Sequence, residues 1–359
     1  MAIYDLFFKL ALQHVDAESA HVLAKRSLRA ARATGIGRAT VRALVGSADP
    51  LLETRALGLT FPSPIGVAAG LDKDATFFED LAALGFGFVE VGTVTALPQL
   101  GNERPRIARF PAQHALLNKM GFPNPGAGAV AARLARRRPG TVVGVNIGKS
   151  RAVSVEDAGA DYRASVRLLA PVADYLVLNV SSPNTPGLRE LQAVDRLRSL
   201  LGDVRTELAT IGTAPPLLIK VDPDLDPEQL TAIAALAVEL ELDGLVAVNT
   251  TVDRSALNGA APFDGGGVSG RPLGDRALGV LRHIRETAGD RLVLISAGGV
   301  ETAEDVWQRI RAGATLVQVY TSFIYGGPSW PKRTNHELAR LVREAHVASV
   351  KDLVGDAVS

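Results

Sequence analysis

Two spacings of apolar residues divide the chain. Over residues 1–45 the spacing is helical: Ile3, Leu6, Phe7, Leu10 and Ala11 form one set and Ala20, Leu23, Ala24 and Leu28 a second. Asp16 can cap the second segment, and Gly35 and Gly37 end it. From about residue 46 short apolar runs alternate with helical stretches. Leu57–Phe61 and Ile65–Ala69 read as strands around a Pro62-Ser63-Pro64 turn. Further runs follow at Phe88–Val91, Thr141–Val145, Tyr175–Leu178, Leu217–Ile219, Leu245–Val248, Leu292–Ile295 and Leu316–Val319. With Ile65–Ala69 they make about eight, the number an α/β barrel needs. Helices are predicted between them, for example over Pro227–Leu240 and Thr302–Ala312. The alternation predicts a parallel sheet. The expected fold is therefore α/β, a (β/α)8 TIM barrel with a small N-terminal two-helix extension. The alternative is an open doubly wound sheet. Its dinucleotide-binding version is weakened because no GxGxxG opens a helix after the first strand. The expected division is an N-terminal helical segment over 1–45, a barrel over 46–350 and a tail over 351–359.

Two connections are long. Leu97–Gly126 is rich in Pro, Asn and Arg, and Asn249–Pro272 contains Gly265, Gly266 and Gly267. Connections of that length in a compact domain are lids, binding loops or disordered segments.

Composition narrows the classes. A net charge of +1 gives no case for nucleic acid, and the absence of cysteine removes disulfides, thiolate metal sites and a cysteine base. No run of about 18 apolar residues is present, so no spanning helix is expected. The N-terminus lacks the order of basic, apolar and cleavage regions that marks a secretory signal. Basic Lys9, Lys25, Arg26, Arg29, Arg32, Arg38 and Arg42 outnumber acidic Asp5, Asp16 and Glu18 in the first 45 residues. Such helices can lie in a bilayer interface with cations near headgroups. They can equally form a hairpin packed on their own domain.

The expected strand ends carry the chemistry, as barrel strands do at their C-terminal side. In order they are Gly70–Lys73, Gly92-Thr93, Asn146, Asn179 with Ser182 and Asn184, Lys220, Asn249-Thr250, Gly298-Gly299 and Tyr320-Thr321. One Asn after a strand is ordinary turn chemistry, but eight polar ends in succession are not. Amides, hydroxyls and ammonium groups prevail. Neither a metal site nor a two-carboxylate hydrolase is supported, and the six scattered histidines read as surface or packing residues. Ser296–Val300 followed by Glu301 reads as strand, glycine turn and helix start, a form that lets amides approach a phosphate. A plain tight turn is the competing reading. Lys73 and Lys220 are placed to meet anions. Beside a flavin, one could stabilise the reduced ring and the other hold a substrate carboxylate.

These stretches together resemble the dihydroorotate dehydrogenase family, in its membrane-associated, quinone-reducing class. The matching motifs are Ala68-Ala69-Gly70-Leu71-Asp72-Lys73, Glu90-Val91-Gly92-Thr93-Val94-Thr95, Asn118-Lys119-Met120-Gly121-Phe122, Asn179-Val180-Ser181-Ser182-Pro183-Asn184, Val248-Asn249-Thr250-Thr251, Gly267-Val268-Ser269-Gly270-Arg271-Pro272-Leu273 and Ser296-Ala297-Gly298-Gly299-Val300. They cover nearly the whole chain, in order. The resemblance implies one FMN per chain, held by Ala69, Gly70, Leu71, Asp72, Lys73, Thr93, Asn146, Asn179, Lys220, Val248, Gly270, Gly299, Tyr320 and Thr321. It implies dihydroorotate or orotate bound by Lys73, Asn118, Lys119, Met120, Gly121, Phe122, Asn179, Asn184, Asn249 and Thr250. Ser182 is implied as the catalytic base, in the place a cysteine takes in the soluble class. Val248 and Thr321 depart from the more frequent Thr and Ser of the family. If those contacts use backbone atoms, FMN binding is little affected.

The implied reaction is oxidation of (S)-dihydroorotate to orotate in de novo pyrimidine (UMP) biosynthesis. Ser182 takes the C5 proton and the C6 hydride passes to flavin N5. A serine hydroxyl is a poor base, so it needs a relay through water or a neighbouring hydroxyl, with Lys73 and the Asn amides stabilising charge on the ring. A membrane quinone, entering between the N-terminal helices, is the implied electron-accepting co-substrate, with His21, Arg109 and Tyr320 near it. The expected partners are then dihydroorotate or orotate, the quinone and a membrane surface, with no nucleic acid and no metal. The expected state is a monomer bound peripherally to the cytoplasmic side of the cell membrane. Three rival readings stay open: another FMN barrel using a soluble acceptor, a flavin-free phosphate-binding lyase or isomerase, and a non-catalytic membrane adaptor.

Overall fold

The structure is a computed structural model that describes residues 2–33, 48–259 and 261–357. Eight parallel strands close a barrel. They are β1 (Ile65–Val67), β2 (Phe88–Val94), β3 (Val142–Gly148), β4 (Tyr175–Asn179), β5 (Leu217–Lys220), β6 (Gly244–Ala247), β7 (Val293–Ala297) and β8 (Leu316–Val319). Each pairs with the next, and the ring closes where Val317 of β8 registers with Ile65 of β1. The open-sheet alternative is excluded. All eight strands lie on the predicted runs; Phe88–Val94 and Val142–Gly148 extend three residues beyond them, and the other six agree within two residues.

The period of two along each strand explains the layers. Outward residues such as Val89, Val91, Val143, Val145, Leu176, Leu178 and Leu245 join the core under the surrounding helices. Inward residues Phe88, Tyr175, Val177, Leu218, Val246, Ile295 and Leu316 pack with Phe61 and fill the lower barrel. Phe61 comes from an antiparallel hairpin, Thr54–Ala56 with Leu59–Phe61. Its ring stands edge-on to Phe88 at 5.3 Å. The two largest inward rings need glycine opposite them. A Cβ on Gly66 would stand 2.4 Å from the Phe88 ring, and one on Gly144 2.1 Å from Tyr175. Truncating a ring packed this way, as in Phe88→Ala, removes on the order of 3–5 kcal/mol.

Two predicted helices start where capping chemistry places them. Pro227–Glu239 opens on an Asp226/Gln229 capping box and Ala303–Arg311 on a Thr302/Asp305 box, each cap contributing roughly 1 kcal/mol.

The two long connections contain more order than the sequence suggests. Ile107–Phe110, Ala115–Asn118 and Gly267–Gly270 form a three-stranded antiparallel sheet. Its central strand registers Asn118 with Ile107 on one side and with Gly267 on the other. Its strands are four residues long. The third is supplied from about 150 residues away, so no local period announces it.

The N-terminal helices are α1 (Ala2–Leu10) and α2 (Ala17–Ala33). Both dock on the barrel, and of the predicted apolar sets Leu28 packs on the core. Phe8 of α1 is buried and packs on Tyr325 at 5.2 Å, while Tyr4 donates to the Ile324 carbonyl. On α2 the docking line is Glu18, His21, Lys25 and Leu28. Lys25 reaches Asp74 at 2.7 Å and Glu18 reaches Arg106 at 2.8 Å. Lys25, read as a headgroup cation from sequence, is thus paired inside the protein. The apolar stripe faces away: Leu6, Phe7, Leu10 and Leu23 are all more than half exposed. Arg26 and Arg29 are exposed beside it. Among the described residues no helix is long and apolar enough to cross a membrane. The Gly35 and Gly37 stop, Arg38, Arg42 and the boundary near residue 45 lie outside the described residues.

Candidate active site

At the C-terminal mouth of the barrel, under the three-stranded sheet, lies a cavity. Its floor is the inward residue one step above the apolar layer in several strands. Glu90, fully buried, accepts from Asn146 at 2.8 Å and from Gln318 at 2.6 Å. Thr93 donates to Asn146 at 2.6 Å and accepts from Asn179 at 2.9 Å. Asn179 in turn accepts from Asn249 at 3.2 Å. The chain of amides and one hydroxyl thus runs from β2 across β3 and β4 to the loop after β6, and each member fixes the rotamer of the next.

Lys220 rises from this floor at the end of β5. It is 6% exposed and has no hydrogen-bond acceptor among the described residues. Burial lowers its pKa, opposed by the charge of Glu90. The Oε1 of Gln318 is also buried without a partner. An orphaned buried cation and an orphaned amide oxygen on one cavity floor fit a large bound group carrying acceptors and an N–H.

One end of the cavity is a glycine turn. A Cβ on Gly299 would stand 2.1 Å from Gly274 Cα, and one on Gly298 would stand 2.8 Å from Leu273. Gly270, Thr321 and Ser322 complete this end, and the buried Ser322 hydroxyl has no partner. The amides of Glu301 and of the N-cap Thr302, which precede the helix Ala303–Arg311, are taken by the Asp305 carboxylate at 2.8 and 2.9 Å. An anion here would meet the glycine turn and hydroxyls and not those two amides.

The other end carries Ser182, 4% exposed on the loop after β4. Its Oγ accepts from the Asn184 amide at 3.3 Å. The Asn184 side chain donates to Asn118 at 3.2 Å, and Asn118 donates to the Gly267 carbonyl at 3.3 Å. Lys73 enters from the loop after β1 and donates to the Gly70 carbonyl. Its pKa is pulled down to about 8, chiefly by burial, with Glu18 opposing and Arg106 adding to the effect.

Of the residues singled out from sequence, Ala69, Gly70, Lys73, Thr93, Asn118, Met120, Gly121, Phe122, Asn179, Ser182, Asn184, Lys220, Val248, Asn249, Thr250, Gly270, Gly299, Tyr320 and Thr321 line this one cavity. Four stand behind it. Leu71 is core; Asp72 accepts the amides of Thr76, Phe77 and Phe78. Asn146 works through Thr93, and Lys119 lies over the Phe263 ring at 4.8 Å. The sequence reading missed Gln318, Ser322 and the sheet residues Ile107, Leu116 and Ser269, all of which line the cavity. Gln318 was open to detection, as the one polar inward position inside an otherwise apolar β8. No metal-competent cluster of His, Cys, Asp and Glu occurs among the described residues.

A second cavity lies beside α2, lined by Glu18, His21, Lys25, Arg104 and Arg106. It shares Lys73, Ile107, Met120 and Tyr320 with the first. Burial and the charges of Lys73 and Lys25 push the His21 pKa down to about 4. Arg109 is outside both linings, bonded to the Val15 carbonyl and 5.9 Å over the Phe8 ring.

The dihydroorotate dehydrogenase family profile matches residues 51–342. The dihydroorotate dehydrogenase (quinone) of Thermobifida fusca is 52% identical over 362 residues, 98% of this chain and 96% of the relative. That of Mycobacterium tuberculosis H37Rv is 50% identical over 345 residues, 96% and 95% of the two chains. A crystal structure of DHODH from Eimeria tenella in complex with ferulenol aligns with a TM-score of 0.87 at 36% identity, covering 99% of this chain and 98% of that one. The chain belongs to the dihydroorotate dehydrogenase family, in its quinone-dependent branch.

Proposed function

We propose that the protein oxidises (S)-dihydroorotate to orotate, a step of pyrimidine biosynthesis, with FMN as its bound cofactor and a membrane quinone as final acceptor. The observation that carries the reading is the convergence of Ser182, Lys73, Lys220 and four asparagines (Asn118, Asn179, Asn184 and Asn249) on one cavity. FMN supplies a flat two-electron acceptor that a lipophilic quinone can discharge. Lys220, Gln318 and Asn179 would hold its ring, and Gly270, Gly299, Thr321 and Ser322 its phosphate.

The substrate is an anion with a ring of amides. Lys73 meets the carboxylate, and the Asn118, Asn184, Asn249 and Thr250 side chains bond the ring edges. Oxidation removes one proton from C5 and two electrons with the second hydrogen from C6. Ser182 takes the C5 proton. As it does so, its own hydroxyl proton must pass through a relay to solvent, because a neutral serine hydroxyl is too weak a base to hold a second proton. Negative charge that grows on the ring as the proton leaves is met by Lys73 and by amide N–H groups already held in place by their neighbours. The three-stranded sheet covers the mouth and keeps bulk water from the reacting carbons.

Electrons leave by the second cavity, beside α2, with His21 neutral and Tyr320 at the junction. The outward Leu6, Phe7, Leu10 and Leu23, with Arg26 and Arg29, suit the interface of a bilayer, which would set the chain as a monomer peripherally on the cytoplasmic side. In this reading residues 1–45 are the membrane and quinone-access segment, 46–350 the catalytic barrel and 351–359 a tail. The test is anaerobic mixing of purified protein with dihydroorotate. Loss of absorbance near roughly 450 nm, recovered on adding a quinone, is the expected result. A colourless preparation, or a yellow one that dihydroorotate leaves unbleached, overturns the reading.

A further inference from the structure

Three loops of the mouth meet outside the cavity, behind the side chains that line it. The loop after β4 carries Ser182 and Asn184 and reaches Arg189. The loop after β5 runs from Lys220 to Asp222 and Asp224. The loop after β6 carries Asn249 and Thr250 and reaches Thr251. Arg189 pairs with Asp222 at 2.5 Å and with Asp224 at 3.4 Å. The Asp222 amide donates to Gln192 at 3.0 Å, and the Asp224 amide donates to the Asp222 carboxylate at 2.9 Å. From the opposite side Arg276, on the helix Gly274–Ala288, donates to Asp224 at 2.5 Å, Thr251 at 2.9 Å and Asp253 at 2.9 Å. The Thr251 hydroxyl and the Val252 amide also donate to Asp224. Thr251 then exchanges both backbone hydrogen bonds with Val268 of the covering sheet, at 3.2 and 2.7 Å. Neither carboxylate nor either arginine touches the cavity.

Surface turns need none of this. Asp222 is 3% exposed and Thr251 4% exposed, and two carboxylates two residues apart repel. A buried carboxylate left without its cation is strongly destabilising. The pair is tolerable only while Arg189 and Arg276, from different elements, are both engaged. Engaging them draws together the segments that carry the proposed base, the floor cation and the ring-binding amides.

We propose that Asp222, Asp224, Arg189 and Arg276 form a positioning clamp that sets the Ser182 loop and the Asn249–Thr251 segment against the strand of Lys220 for proton abstraction from the substrate. The inference rests on the dihydroorotate reading above. It also has a pH signature. Burial raises Asp222 to about 6; the Asp224 charge adds to this, and its bond from the Asp224 amide, Arg189 and Arg276 oppose it. The charged groups facing the pair are Arg189 from the loop after β4, Arg276 from the helix and Asp253 from the loop after β6. Above about pH 6 Asp222 is ionised and holds Arg189. As pH falls through that value the pair is lost and the Ser182 loop is released.

The experiment uses the holoenzyme and separates its two half-reactions by anaerobic stopped flow. Asp224→Asn and Arg276→Met are expected to reduce flavin with saturating dihydroorotate about tenfold or more slowly than wild type, as misplacing a reacting group does. Reoxidation of chemically reduced flavin by a short, soluble quinone should stay within about twofold, since that step does not use the Ser182 loop. Arg276→Lys should recover much of the loss. Asp222→Asn should lose the acid limb near pH 6 that wild type shows. Hydrogen exchange at amides 182–190 and 249–253 should speed up in the Asp224 and Arg276 variants. Wild-type reduction rates in both variants, or equal losses in both half-reactions, would overturn the clamp. If Asp224→Asn does not fold, Arg276→Met decides, because that side chain is 40% exposed. If wild type itself is not bleached, the functional reading fails, and the exchange rates, which need no substrate, still decide whether the loops are clamped.

Discussion

Arg106 and Glu18 join the N-terminal extension to the covering segment of the active site. The two groups lie 88 residues apart, and their three hydrogen bonds span 2.8–3.2 Å. The same guanidinium donates to the carbonyls of Leu100 at 2.7 Å and Asn102 at 2.9 Å. Arg106 is 7% exposed, so its charge has few other partners. Glu18→Gln removes the anion and leaves a largely buried guanidinium short of an acceptor. The expected cost is about 1–3 kcal/mol of local docking. Hydrogen exchange along α2 should rise while the barrel strands keep their protection. Turnover with a long-tailed quinone should fall further than flavin reduction by dihydroorotate. Equal exchange in α2 of variant and wild type would show that the pair does not hold the helix.

Ser182→Ala tests the base directly. The side chain is small and buried, and only the Asn184 amide bonds it. The barrel should therefore keep its stability and its FMN. Flavin reduction by dihydroorotate should slow by about 10²–10⁴, the usual weight of one positioned proton-transfer group. An unchanged rate in the alanine variant would remove Ser182 from the mechanism.

The barrel was legible because its strands are buried on both faces and read as short apolar runs. Leu217–Lys220 and Leu245–Val248 need no partner information to be recognised. The polar residues at those strand ends were legible for the same reason, since Lys220 or Asn249 after an apolar run has no packing role to explain it. What escaped lies in pairings at long range. The covering sheet joins Asn118 to Gly267, and neither strand is long enough to show a period. The docking face of α2 was misread for a different reason. Periodicity marks an apolar stripe but not what it faces, and here Leu23 points outward while Glu18 and Lys25 make the ion pairs.

That outward stripe carries the third prediction. Deleting residues 1–45 removes α1, α2 and one wall of the second cavity, yet leaves Ser182, Lys73 and Lys220 in place. The truncated protein should still be bleached by dihydroorotate and should lose reoxidation by a long-tailed quinone. It should also no longer sediment with anionic lipid vesicles, which attract roughly 1 kcal/mol per basic residue near the surface. Undiminished quinone turnover in the truncation would separate the helices from electron transfer.

Lys73 joins pH dependence of activity to stability, with opposite consequences. Its pKa of about 8 in the folded chain lies below the 10.5 of an ordinary lysine. The ammonium is charged below about 8 and neutral above it, while the substrate carboxylate stays ionised. Hence kcat/KM for dihydroorotate should fall as pH rises through 8 and depend on the free-enzyme value. Lys73→Met should have a low kcat/KM without that limb. Stability runs the other way. Between pH 8 and 10.5 the unfolded chain binds more protons at this site than the folded one, so stability rises with pH across that window. At neutral pH the buried ammonium costs the fold roughly 1–3 kcal/mol. Lys73→Met should therefore melt higher than wild type at pH 7, and the gap should close by about pH 10.5. A methionine variant that melts lower than wild type at pH 7 would show that Lys73 is held by favourable contacts, such as its bond to the Gly70 carbonyl, and is not kept buried and charged at a cost in stability for the sake of an anionic ligand.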